Sequence, residues 1–380
     1  MIQLPKNLLC FSHLRWDFVY QRPQHLMTRF SEFTTVYYLE EPIFGSYQHS
    51  FISFSQRLPN LWVCVPHLRH GLNKAEVNKE LKSLLNIFFV NRDTEEFVFW
   101  YYTPMALEFS YKFVPGLTVY DCMDELSAFK FAPDELKDLE RRLFNKADVV
   151  FTGGQSLYEA KKHQHYNIHP FQSSIDKKHF GKARSKASEP ADQAAIKGPK
   201  LGFYGVIDER FDTDLIKNIA DARPEWQIML IGPIVKISHD VLPKNENIHY
   251  LGAKGYDDLP LYLSGWDVAL VPFLLNESTR FISPTKTPEY LAGGKPVVSS
   301  AIKDVVNPYA KNKLVSIGVD ADDFVAAIDE LLENPVDEIW LAKVDAFLAD
   351  NCWDNTFSAM KGIMVNAMEN RTAQVSLASE

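Results

Sequence analysis

The sequence predicts an α/β protein made of two Rossmann-like, doubly wound parallel-sheet domains that face a cleft. Short apolar runs alternate with helical stretches along the chain, the pattern of repeated βα units. At 380 residues the chain exceeds what one hydrophobic core normally serves. Between two such βα series, residues 183–199 are rich in Lys, Ala, Ser and Pro without a hydrophobic period, which reads as a linker. The expected domains are 1–182 and 200–352, with a terminal segment over 353–370 crossing back to the first.

Composition narrows the class. Hydrophobic residues make up 46% and aromatics 13%, enough for packed cores and against disorder. The balance of 40 basic and 49 acidic residues gives −9, which disfavours nucleic acid as a general partner and gives no broad attraction to anionic lipid. Cys10, Cys64, Cys122 and Cys352 show no metal or redox spacing and read as reduced thiols of a cytoplasmic protein. No cationic leader and no long apolar span is apparent.

Taken in order, residues 7–11 form the first buried strand, closed by Ser12-His13. The connector after it carries His13, Arg15, Trp16, Asp17 and Arg22, and Pro23 suits the first turn of a helix running to about Phe33. Ligands of open α/β sheets gather beyond the carboxyl ends of strands, so this connector is a candidate substrate loop; packing with local salt bridges is the alternative. Strands follow at 35–39, 61–65, 97–102 and 117–121, with a helix over 73–87. Asp121 and Asp124 lie just past a strand end. They are either helix-start acids favoured by the macrodipole or groups that take an acceptor hydroxyl's proton. A charged helix over 134–145, a strand at 147–152 and a helix from Ser156 complete this half. In that helix Lys161-Lys162-His163 offers either a lipid contact or a solvated face.

The second series opens at 201–205, and strands recur at 226–232, 248–252 and 268–272. Helices are expected at 215–222, 257–265 and 321–333, with fraying beyond Asn370. Gly205 after the first strand lets backbone approach a ligand, and Arg210 can fork onto phosphate, oriented by Asp208, Glu209 and Asp212.

The densest chemistry lies in 283–298. Pro288 restricts the helix start to Thr285–Thr287, with threonine as cap; Gly293-Gly294 stops it, and Val297-Val298 begins a strand. Ser283, Pro284, Thr285 and Lys286 thus surround a helix N-terminus suited to an anion, while Glu289, three residues from Lys286, can accept two vicinal hydroxyls. That pairing suits a nucleoside diphosphate. Taken singly, the same residues also fit an ordinary cap with a surface Lys–Glu pair.

As a string, Pro284 to Val298 resembles the donor-site signature of GT-B-fold, GT4-like bacterial glycosyltransferases: Pro-x-Lys-x-x-Glu-Tyr-x-Ala-x-Gly-x-Pro-Val-Val. Residues 171–180 resemble the family's segment closing the first domain, and the His13–Arg22 loop resembles a segment of related polysaccharide enzymes. The usual second acid eight positions before Glu289 is Phe281 here. The resemblance implies transfer of a sugar from a nucleotide-sugar such as a UDP-sugar to a glycan or lipid-linked acceptor, in bacterial surface polysaccharide biosynthesis at the inner membrane face. Arg210 and Lys286 would stabilise the departing diphosphate. Gly232, Pro233 and Tyr256 would seat the base, and His13 to Arg22 the acceptor. Retention is implied, whereas Asp121 or Asp124 acting as base would permit inversion. No cofactor and no metal is expected. A sugar-nucleotide epimerase or phosphorylase of the same fold, or a catalytically silent sugar-nucleotide-binding subunit, is the alternative. A dinucleotide-dependent dehydrogenase is disfavoured because no GxGxxG follows a strand.

Overall fold

The computed structural model describes residues 4–185 and 189–378, with the closing helix's side chains described to Arg371. The chain forms two compact units, Met1–Gln172 with Asp354–Glu380, and Ser173–Trp353.

The first unit is built on the strands β1 (Asn7–Phe11), β2 (Thr35–Leu39), β3 (Ile43–Gly45), β4 (Phe51–Leu58), β5 (Leu61–Arg69), β6 (Phe97–Tyr101), β7 (Leu117–Cys122), β8 (Val149–Thr152) and β9 (Ile168–Pro170). Their order among the described residues is β3-β5-β2-β1-β6-β7-β8-β9, with β4 paired to β5. Every pairing is parallel except β4 with β5. The central strands β1, β6 and β7 are buried almost end to end, as expected of parallel strands covered on both faces. Aromatic rings fill this core: Phe11 stacks on Tyr101 at 4.7 Å and Trp100 meets Phe30 edge-on at 5.3 Å.

The closing helix Trp353–Ala378 returns to this unit, where Phe357 packs edge-on against Phe30 at 4.9 Å and Asp354 accepts from Arg29 at 2.7 Å. Its backbone stays helical beyond Asn370 instead of fraying, and Arg371 donates to the carbonyls of Pro115 and Gly116. The basic run near residue 162 is not a free patch. Lys161 is buried and paired with Glu125 and Glu140, at 2.8 and 2.7 Å, and Lys162 pairs with Glu159.

The second unit carries β10 (Lys200–Tyr204), β11 (Gln227–Ile231), β12 (Ile248–Gly252), β13 (Val268–Val271), β14 (Val297–Ser300) and β15 (Ser316–Gly318), in the parallel order β12-β11-β10-β13-β14-β15. The order reverses at β10, so its carboxyl end, between β11 and β13, is the switch point where doubly wound sheets take ligands.

The stretch 183–199, expected as a free linker, is packed where it is described; residues 186–188 lie outside the described residues. The Gln193 amide is fully buried. It donates to the Tyr262 carbonyl at 2.9 Å and accepts from the Trp266 indole at 2.9 Å, while Glu189 pairs with Lys200 at 2.6 Å. The Tyr262 and Trp266 partners of Gln193 lie about seventy residues away in sequence, so local composition cannot show them. Among the described residues no helix is long and apolar enough to cross a membrane.

Candidate nucleotide-sugar site

At the switch point, backbone approaches backbone. Gly205 follows β10 at φ +138° and Gly232 follows β11 at φ +145°, both in the region that favours glycine. A Cβ at Gly232 would fall 1.8 Å from the Gly205 carbonyl oxygen, and a Cβ at Gly205 would fall 2.2 Å from Cε of Lys286. The Lys286 side chain therefore lies directly over Gly205. Its ammonium sits 5.5 Å from the ring centroids of both Phe203 and Phe273, near enough for cation–π attraction to fix its direction.

Lys286 opens the helix Lys286–Ala292, and Glu289 stands one turn on. The Tyr204 hydroxyl donates to Glu289 Oε2 at 2.9 Å, while the Tyr290 hydroxyl accepts from the Tyr204 backbone N–H at 3.0 Å. These two bonds lock the helix to the end of β10. Burial pushes the Glu289 carboxyl up to about 7, against the lowering pull of the Tyr204 hydroxyl and Lys286.

Arg210 lies on the loop after β10. Asp208 grips it through Nε at 3.0 and 3.1 Å and Nη2 at 2.6 Å, and the Arg210 carbonyl accepts from Leu274 N–H at 2.8 Å. That last bond ties the loop after β10 to the loop after β13. The Asp208 carboxylate thus fixes the direction of the guanidinium.

Several expectations change. Of the three acids expected to orient Arg210, Asp208 does so, buried and paired with it. Asp212 caps the helix Thr213–Ala222, accepting from Leu215 N–H, and Glu209 lies 3.7 Å from Lys236. Thr285 occupies the cap position but makes no side-chain cap bond, and the Thr287 hydroxyl is buried, so neither threonine caps the helix as expected. The left-handed residue that ends the helix is Gly294 (φ +76°), whereas Gly293 is helical at φ −72°. Ser283 and Pro284 lie half-buried on the loop leading into it.

The Tyr256 ring stacks on His179 at 4.2 Å and its carbonyl accepts from the His179 ring at 3.0 Å, so one ring face is already covered. The space beside Gly232 and Gly252 is instead a cavity of about 470 Å³ whose walls include Ile234, Leu242, Asn245 and Tyr250. Pro233 contributes its carbonyl to Ile207 N–H at 3.0 Å. Sequence reading missed these cavity residues because the loop 234–245 that folds over β11 and β12 carries no periodic signal.

In the first unit the expected acceptor and base residues are largely spoken for. Arg22 and Asp121 are almost fully buried and form a two-pronged pair, Nε to Oδ2 at 2.9 Å and Nη2 to Oδ1 at 2.8 Å, with Nη1 on the Phe171 carbonyl at 2.6 Å. Neither is presented to an acceptor: Arg22 is a structural cross-brace, and Asp121 is not placed to take a proton. Burial raises the Asp121 carboxyl above its ordinary value, with Arg22 pulling it back. Arg15 pairs with Glu40 at 2.9 Å, and Trp16 N–H donates to the same carboxylate at 2.7 Å. Asp17 pairs with Arg57. His13 and Asp124 lie half-buried at the ends of β1 and β7.

Residues 198–334 match the family described as glycosyl transferases group 1. The chain has the GT-B fold, and its second unit is similar to the group 1 glycosyl transferases. Among solved structures, the trehalose-6-phosphate protein of E. coli bound with UDP-2-fluoro glucose aligns with TM-score 0.71 at 12% identity, over 94% of this chain and 99% of that one. The catalytic domain of starch synthase IV from Arabidopsis thaliana, bound to ADP and acarbose, aligns with TM-score 0.67 at 8% identity, over 97% and 100%. In sequence, TuaH of Bacillus subtilis, whose name assigns it provisionally to teichuronic acid biosynthesis as a glycosyltransferase, is 24% identical over 260 residues. That match spans 63% of this chain and 65% of the relative.

Proposed function

We propose that this protein is a glycosyltransferase that moves a sugar from a nucleoside-diphosphate sugar to a glycan or lipid-linked acceptor in bacterial surface polysaccharide biosynthesis. The observation that carries the reading is the Lys286 side chain laid over Gly205 with Glu289 one turn away, at the reversal of strand order. Lys286 would neutralise the diphosphate as the glycosidic bond breaks, with the Asp208-held Arg210 as a second cation from the adjoining loop. Glu289 would accept the ribose diol, and the cavity beside Gly232 would take the base. UDP-2-fluoro glucose and ADP in the two structural neighbours, and the name of the Bacillus relative, support the donor class and the setting.

The pairing of Asp121 with Arg22 removes one of two candidate bases, which favours transfer with retention, assisted by the donor phosphate on the front face. The setting is the cytoplasm at the inner face of the membrane, where such donors and lipid-linked acceptors meet. A thermal-shift panel of UDP-, GDP- and dTDP-sugars tests the reading: one class raises the melting temperature, and Lys286→Ala abolishes the rise. A panel without any shift, or a shift untouched by that variant, overturns it. The anomeric configuration of the product, read by proton NMR, decides retention.

A further inference from the structure

The first unit contains a cavity of about 450 Å³ that none of the donor chemistry uses, within the range of about 300–1,000 Å³ typical of small-molecule sites. It lies beyond the carboxyl ends of β1 and β2, between the segment 39–44 and the helix Lys74–Phe88. Phe11, Leu39, Leu81, Met105 and Phe109 give it apolar walls. Charge on the lining is one-sided, with Glu40, Glu41, Glu108 and Glu135 against Lys74 alone.

The committed charges decide what fits. Glu40 spends one oxygen on Arg15 and the other on Trp16 N–H. Lys74 is shared by Glu108, at 3.1 Å, and Glu135. A phosphate or carboxylate entering here would meet surplus carboxylates, with the lining's sole cation already doubly paired. A neutral molecule with hydroxyls meets the opposite: acceptors at the rim for its O–H groups and an apolar wall for its body.

We propose that this cavity binds a non-ionic amphiphile, a hydroxylated head joined to an apolar chain or ring, and that its apolar end enters between Leu39 and Leu81. That this amphiphile is the acceptor, or the part of it remote from any phosphate, rests on the transfer reading above. The binding itself does not.

Calorimetric titration with alkyl glucosides below their micellar concentration tests it, using octyl glucoside, its hexyl and heptyl homologues, octyl phosphate and glucose. One octyl glucoside binds per chain, affinity rises up to about fourfold per methylene, and octyl phosphate binds at least tenfold more weakly. Asn78→Trp, which puts a ring into the cavity from the helix surface, lowers octyl glucoside affinity at least tenfold. Phe44→Ala, at the exposed rim, weakens it several-fold should the first variant fold poorly. Both leave nucleotide binding unchanged. Octyl phosphate binding as tightly as octyl glucoside, glucose binding as tightly as its octyl derivative, or affinity indifferent to both variants overturns the proposal. Amphiphile binding in a protein that takes no nucleotide overturns the transfer reading and leaves this site standing.

Discussion

The ends of β1 and β10 are matching places in two sheets of one kind, and their side chains are used in opposite ways. After β1 the charges are consumed within the unit: Arg15 on Glu40, Arg22 on Asp121, Asp17 on Arg57. After β10 the chain offers glycine, then a single clamped Arg210, and receives Lys286 from a distant helix over the bare backbone. Charged side chains at a strand end therefore do not by themselves mark a ligand site. What marks the second is a cation that lies over glycine backbone and between two ring faces, one helical turn from Glu289.

The sharpest way to break the comparison is to remove a structural charge and a ligand-facing one and compare losses. Arg22→Ala leaves Asp121 buried without its partner and should cost about 3–5 kcal/mol in urea unfolding, as breaking buried pairs does. A drop in turnover at unchanged stability would instead make the pair part of the site. Lys286→Ala should reverse that profile, with sugar transfer falling about 10²–10³-fold and the thermal midpoint nearly fixed. A collapse of folding would make Lys286 structural.

Glu289 supplies a subtler test. Its folded value, about 7, lies above the ordinary 4.5, so the protonated form is favoured in the fold and stability declines as pH rises from about 4.5 to about 7. If the ionised carboxylate accepts the ribose diol, nucleotide affinity climbs over that same window, by up to about tenfold per pH unit. Glu289→Gln should flatten both profiles, read by calorimetry and by unfolding at several pH values. Smallest of all, Arg15→Ala should change stability by about 1 kcal/mol or less, since its pair with Glu40 is partly exposed.

Most of the strand pattern was legible because parallel strands buried on both faces read as unbroken apolar runs, as Phe97–Tyr101 and Val268–Val271 do. The β4 strand was not. Phe51–Leu58 mixes exposed Phe51 and Phe54 with Ser53, Ser55 and Gln56, and owes its conformation to pairing with β5. The Lys286–Glu289 spacing was visible because a helix places such residues on one face. The fate of Arg22 was invisible, since its partner is 99 residues away and a buried cross-brace has the same composition as a binding loop. Likewise nothing around Gln193 announces that Trp266 and Tyr262 will enclose it.

The hydrogen on the Cα of Gly205 is thus as specific as any functional group nearby. Alanine would insert a carbon where the lysine's aliphatic stem now rests, so the smallest possible enlargement would evict the ammonium from its seat. Vacant volume, not an added contact, is what this position supplies.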